Sequence, residues 1–323
     1  MSTLIISSDQ KIRSSITDGL SEGAKKLVED SSPHNTKRTY ARLWDIFQSW
    51  CIERNSQHLP ADPKTIVEFL HDQSANENIS HKSLIVYLSA IRMLHLDSGF
   101  DPSPTSATLV SKTMKSIERR YPKKPNQRDP VTLDELEVML VYCQENLFGL
   151  RDAALLSVGF SCGFRCSEEA NLKFEDFKYR EDGILIYIPD SKTGDDEIAL
   201  INIERINAIN HLQKWLISSE ITSGYVFRRI YKGGKKIGKE DEKISTKTIQ
   251  QVWKKYAKLA GINLEERSIS GHTARVSFVT EADKGGATNT EIKGTTRHKT
   301  DTSLNTYKRI GNLFKNHAGR KIK

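Results

Sequence analysis

Residues 121–130 constrain this chain more than any other stretch. Pro122, Pro125 and Pro130 stand among Lys123, Lys124 and Arg128. Proline has no backbone N–H and restricts the residue before it, so neither a helix nor a central strand can run through such a segment. It reads as an extended basic linker and predicts a chain divided in two. With 323 residues, 37% of them hydrophobic, each part is long enough to bury a core of its own.

Ahead of the linker, residues 1–32 are mostly polar, a tail leading into a helix over about 14–30. Residues 33–121 then show helical spacing throughout. Tyr40, Leu43, Phe47 and Trp50 form one apolar stripe over 35–54. Asp62-Pro63 starts a second helix with Ile66, Phe69 and Leu70 inside. Leu84, Tyr87, Leu88, Ile91 and Leu94 mark a third over 80–98, and a fourth covers about 106–120. The expected unit is a four- to five-helix bundle.

Beyond the linker, residues 131–323 mix periods. Thr132 with Glu135 three residues on is a capping box opening a helix to about Cys143. Residues 150–160 are apolar nearly throughout and predict a buried helix. The β-rich runs 184–188 and 197–201 flank Asp190-Ser191-Lys192-Thr193-Gly194-Asp195, a hairpin. Helices are expected over 203–218 and 246–260, with a basic glycine-containing loop over 227–243 between them. The fold class is mainly α, the second part mixed α+β.

The formal net charge is +8 and the sequence pI about 9.1, which favours an anionic partner, nucleic acid above all. Residues 112–128 hold seven Lys or Arg against Glu118 alone. Candidate DNA-contacting cations are Lys37, Arg38, Arg42, Lys112, Lys115, Arg119, Arg120, Lys123 and Lys124. On the helix over 246–260, Lys247, Lys254 and Lys255 join them, opposite the apolar face of Ile249, Val252 and Tyr256. A solvated charged face is the plain alternative for each. No apolar run approaches the ~18 residues of a membrane helix, no secretory pattern opens the chain, and the four cysteines form no Cys-x-x-Cys. The expected location is cytoplasmic, at the nucleoid when DNA is bound, with no membrane partner. There is no glycine-rich phosphate loop or acidic metal cluster, so no cofactor and no metal is expected.

The chemistry concentrates in 269–308. Ser270-Gly271-His272-Thr273-Ala274-Arg275 opens a short helix with His272 and Arg275 on one face, stopped by Gly285-Gly286. Thr288 and Glu291 cap another, and Arg297-His298 precede a third that carries Tyr307. Guanidinium forks match phosphate oxygens, and a phenol is a possible nucleophile. Taken singly, a His-x-x-Arg or a late tyrosine is more often surface or packing.

Taken in order, these motifs resemble the tyrosine recombinases, the phage-integrase family. Gly163-Phe164-Arg165 followed by Glu168 and Leu172 resembles the first catalytic-arginine box, and Arg297-His298 with Tyr307 nine residues on resembles the C-terminal signature. The sequence departs from the pattern where Arg297 replaces the usual glycine and Thr295-Thr296 replaces a more apolar approach. The resemblance implies a core-binding bundle and a catalytic domain closing as a C-shaped clamp on double-stranded DNA. It implies Tyr307 as nucleophile; Arg165, His272, Arg275 and His298 around the phosphate; Lys192 as general acid; and Glu168 in support. It further implies a 3′-phosphotyrosyl intermediate, exchange through a Holliday junction, and a homotetramer in which a C-terminal segment, 309–323 with Leu313 and Phe314, passes between protomers. Accessory proteins are not legible here. Two alternatives stay open: a type IB topoisomerase, and a non-catalytic sequence-specific DNA-binding protein.

Overall fold

A computed structural model of the chain describes residues 19–31, 33–76, 79–121, 129–191, 194–298, 300, 301 and 304. The chain divides into two compact units, residues 1–125 and 126–323.

In the first unit, α1 (Glu22–Asp30), α2 (His34–Glu53), α3 (Pro63–Ser74), α4 (His81–Asp97) and α5 (Thr108–Arg120) are joined by short connections. Their starts are written locally. Ser21, Asp62 and Ser80 each accept a backbone N–H of the following first turn through the side chain, satisfying donors that a helix start leaves open. The apolar stripe of α2 turns inward as Leu43, Trp44, Phe47, Trp50 and Cys51. Phe69 of α3 meets Phe47, Trp50 and Tyr87 edge-on at 5.1, 5.5 and 5.6 Å, geometry that ring quadrupoles favour. Buried His95 accepts the Ala61 N–H at Nε2 and donates from Nδ1 to the Ile91 carbonyl, so its proton lies on Nδ1 and the ring is neutral.

The second unit begins with α6 (Leu133–Val141), whose Thr132–Glu135 box forms with both reciprocal bonds. Next comes α7 (Leu147–Ser161), in which every residue from Arg151 to Ser161 is buried. The short α8 (Cys166–Asn171) follows directly. An antiparallel sheet β1 (Phe177–Arg180), β2 (Gly183–Ser191) and β3 (Gly194–Leu200) runs in that order. Ile184 pairs with Leu200 and Ile186 with Ile198, and all four are buried, which fixes the register. Then come α9 (Ala208–Ser219), α10 (Thr246–Leu259), α11 (Thr273–Lys284) and α12 (Asn289–Thr296). One core gathers α6, α7, the inner sheet face, α9 and α10 around Trp215 and Trp253.

One expectation is corrected. The helix over 203–218 starts only at Ala208, after Asn207 in the left-handed region at φ 48°. The basic loop over 227–243 is held by bridges Arg228↔Lys243 and Ile230↔Ile237 and a Gly238 N–H bond of 2.7 Å to the Arg229 carbonyl. The tail and helix expected before residue 19, the linker residues 122–128 and the segment 309–323 lie outside the described residues.

Candidate active site

The site is built where α7 ends and α11 and α12 begin and end. Gly163, at φ 56°, turns the chain out of α7, and a Cβ there would stand 3.0 Å from the Thr296 methyl and 3.3 Å from the Phe278 ring. The next turn delivers Phe164 to the core and Arg165 to the start of α8. At Gly271 a Cβ would fall 1.7 Å from the Cys166 sulfur. The Ser-Gly-His-Thr-Ala-Arg box therefore needs its glycine to lie against α8. His272 stands just before the first residue of α11, and Arg275 sits one turn in, fully buried.

Glu168 is the hub. Its Oε2 accepts the Arg165 backbone N–H at 2.8 Å, Arg275 Nη2 at 3.0 Å and Arg297 Nη2 at 2.7 Å, while its Oε1 accepts Arg165 Nη1. Burial works against the ionised carboxyl, but Arg275, Arg297 and Arg165 outweigh it and hold Glu168 below the usual glutamate range. Three guanidinium charges against one carboxylate leave a surplus of two positive charges among these four groups, a setting that suits an anion.

His298 follows Arg297. Burial first, then the charges of Arg275 and Arg165 and the ring of His272, push it down to about 4, with Glu168 opposing. It is therefore neutral near pH 7. Its Nδ1 lies 2.6 Å from the Thr296 hydroxyl.

Arg165, Glu168, His272, Arg275 and His298 are thus one cluster. Lys192 and Tyr307 lie outside the described residues, although Ser191 and Gly194 pair across the hairpin on either side of the first. Among the cations expected to face DNA, Lys37 is half-buried, while Arg38, Arg42, Lys112, Lys115, Arg119, Arg120, Lys247 and Lys254 are exposed; Lys123 and Lys124 are outside the described residues. Lys255 turns back, its ammonium 3.1 Å from the Tyr256 hydroxyl and 3.7 Å from buried Asp152. Glu169 is buried, with Oε1 meeting no hydrogen-bond donor among the described residues, and burial raises its carboxyl well above the usual range.

Sequence reasoning missed Arg297 and Thr296 as partners of the site. The signal was present: an arginine where a glycine is usual, and a hydroxyl on an apolar approach. Arg297 terminates α12 at φ 56°, which explains the usual glycine, since that region burdens any residue with a Cβ. Here the strain is borne by a side chain that reaches Glu168 and lies over the Phe164 ring at 5.6 Å.

The chain is similar in sequence and fold to known proteins. The integrase/recombinase xerD homolog of Selenomonas ruminantium is 32% identical over 309 residues, covering 93% of this chain and 88% of that protein. The tyrosine recombinase XerD of Yersinia pestis is 26% identical over 271 residues, 80% and 81% of the two chains. The fold matches lambda integrase bound to a COC′ core site with a TM-score of 0.60 at 18% identity, covering 88% of this chain and 92% of that one. It also matches the Tn1549 transposon integrase in complex with transposon right end DNA, with a TM-score of 0.61 at 15% identity over the same shares. The sequence pattern of the phage integrase family spans residues 130–312, and the chain belongs to that family, the tyrosine recombinases.

Proposed function

We propose that this protein is a site-specific DNA recombinase that cuts and rejoins strands through a covalent bond to Tyr307. The observation that supports it best is the Glu168 hub, which holds Arg165 and Arg275 side by side in a surplus of positive charge. Attack on a phosphodiester builds charge on the nonbridging oxygens. Preorganised guanidinium donors stabilise that charge without reorganising at the moment of reaction.

In the proposed step the Tyr307 oxygen bonds to phosphorus and the bond to the 5′-oxygen breaks. His272 takes the phenol proton, and Lys192 gives a proton to the leaving oxygen. The 3′-phosphotyrosyl bond keeps the energy of the broken linkage, so a 5′-hydroxyl of another strand can reverse the step. Two such exchanges pass through a Holliday junction. The partners are double-stranded DNA and three further copies of the chain, with segment 309–323 exchanged between protomers. Such a protein works in the cytoplasm, where the DNA is.

Incubation with nicked duplexes carrying the protein's own site, followed by denaturing electrophoresis, tests this. A DNA adduct formed by the native chain and lost in Tyr307→Phe is expected. Absence of a tyrosine-dependent adduct overturns it. Relaxation of plasmids of any sequence with no joined product would instead favour a topoisomerase.

A further inference from the structure

The Thr296 hydroxyl sits between two partners, 2.6 Å from the Ile292 carbonyl oxygen and 2.6 Å from His298 Nδ1. A hydroxyl has one proton, and a carbonyl oxygen can only accept. If the hydroxyl donates to Ile292, its contact with the imidazole is a bond it receives, and the imidazole proton lies on Nδ1. The alternative, a hydroxyl donating to Nδ1, gives up the Ile292 bond. Thr296 is fully buried, its methyl facing Gly163, so water does not replace what would be lost. The same logic fixes buried His95 by two protein partners.

We propose that Thr296 is a positioning residue that fixes the His298 proton on Nδ1, so that this histidine enters the site with an acceptor nitrogen, Nε2, and becomes a donor there only by taking up a proton. The proposal deepens the recombinase reading and rests on it for its meaning in catalysis. Among the described residues, the charged and titratable groups that act on the ring are Arg165, Arg275, His272 and Glu168. Three of them disfavour the imidazolium, and an arriving phosphate diester supplies the negative charge that favours it. His298 is then neutral before DNA binds and a charged hydrogen-bond donor on the phosphate afterwards. A neutral Nε2–H histidine would instead be a donor at all times.

Side-chain ¹⁵N spectroscopy of the full chain labelled at histidine tests the proton's position without DNA, with the His298 signals assigned by their loss in His298→Gln. The expected result at neutral pH is a protonated Nδ1 and an unprotonated Nε2. Thr296→Ser should keep that pattern. Thr296→Val, close to isosteric but without the hydroxyl, should populate the Nε2–H form and lower the titration midpoint of the ring, because the cation loses its acceptor at Nδ1. Adduct yield on nicked duplex should fall in the valine variant and be kept by serine. A native protein with Nε2 protonated overturns the proposal whatever the variants do. So does a valine variant whose spectra match the native ones. If the native spectra show the expected proton but no protein forms an adduct, the recombinase reading fails and the proton placement stands.

Discussion

Arg297 Nη2 lies 2.7 Å from Glu168 Oε2, on the oxygen that also receives Arg275 at 3.0 Å. Stranding a buried charge costs about 3–5 kcal/mol, but Glu168 keeps two other guanidinium partners when Arg297 is removed. Glycine at 297 also releases about 1 kcal/mol of left-handed backbone strain. The bond lost is then one charged hydrogen bond, about 1.5–3 kcal/mol, so Arg297→Gly should lose only about 0.5–2 kcal/mol in denaturant unfolding, net of the strain relief. Arg297→Ala loses the same bond and keeps the strain, so it should fall about 1 kcal/mol further. Equal stabilities for the two variants would sink this account of position 297.

The same hub sets a pH dependence. The Glu168 carboxyl is held below its usual range in the fold, so its contribution is fully present above the unfolded glutamate pKa. It is lost as pH falls through the lower folded value. Acid unfolding of the native protein should thus be steeper than that of Glu168→Gln, with the two curves converging once the carboxyl is protonated in both states. A variant that unfolds in parallel with the native chain across the acid range would show that the hub does not bind protons on unfolding.

Glu169, the adjacent residue, works in the opposite direction. Burial raises its carboxyl well above the usual glutamate range in the fold, whereas the unfolded chain releases the proton within that range. Native stability is therefore eroded as pH rises, by about 1.4 kcal/mol per pH unit, until the folded pKa is reached. Glu169→Gln has no such proton. Its stability relative to the native chain should climb with that slope from pH 5 upward. A difference independent of pH would mean that the carboxyl is ionised in place.

Much of this was legible in the sequence, and the exceptions have physical reasons. The Thr132–Glu135 and Thr288–Glu291 boxes and the Asp62-Pro63 start are local codes, and the structure forms each of them. The residues gathered at Glu168 come from segments more than a hundred positions apart. Only the motif order made that gathering expected, since no local code reports which carboxylate three arginines will share. Glu168 and Glu169 show the limit best. They are the same residue type side by side at a helix start, yet guanidinium groups hold one below the usual glutamate range and burial raises the other well above it. That distinction depends on the face α8 turns to α7, which a six-residue helix does not reveal by period. The start of α9 was misplaced for a related reason: Ile203 and Ile206 fit helical spacing, but Asn207 breaks the backbone between them and Ala208.

Arg275 is fully buried, where its flat fork rather than its charge alone decides what it can hold. Lysine keeps the charge but offers no paired donors. Arg275→Lys should slow adduct formation on nicked duplex by roughly two to three orders of magnitude, the usual cost of one preorganised oxyanion donor. It should leave duplex binding in a mobility-shift assay nearly unchanged, because a net charge of +8 and its exposed cations remain to attract the DNA backbone. A variant that cuts at the native rate would remove Arg275 from the chemistry.

Gly271 and Cys166 make the sharpest packing contact of the site. A Cβ at 271 would stand 1.7 Å from the Cys166 sulfur and 3.2 Å from Gln250 Cγ, so the sulfur must leave its rotamer in a packed setting or α8 and the loop before α11 must separate to admit it. Overpacking of this kind costs about 1–3 kcal/mol, and here the displaced helix is the one that begins beside Arg165 and carries Glu168. Gly271→Ala should therefore lose both stability and adduct formation. Cys166→Ala removes the sulfur and leaves a Cβ contact of 3.3 Å, which a small shift accommodates. The double variant should recover part of the loss, with a coupling of about 1–2 kcal/mol in denaturant unfolding and a parallel gain in adduct rate over Gly271→Ala. Strict additivity of the two single changes would mean that the contact does not set the spacing between Arg165 and His272.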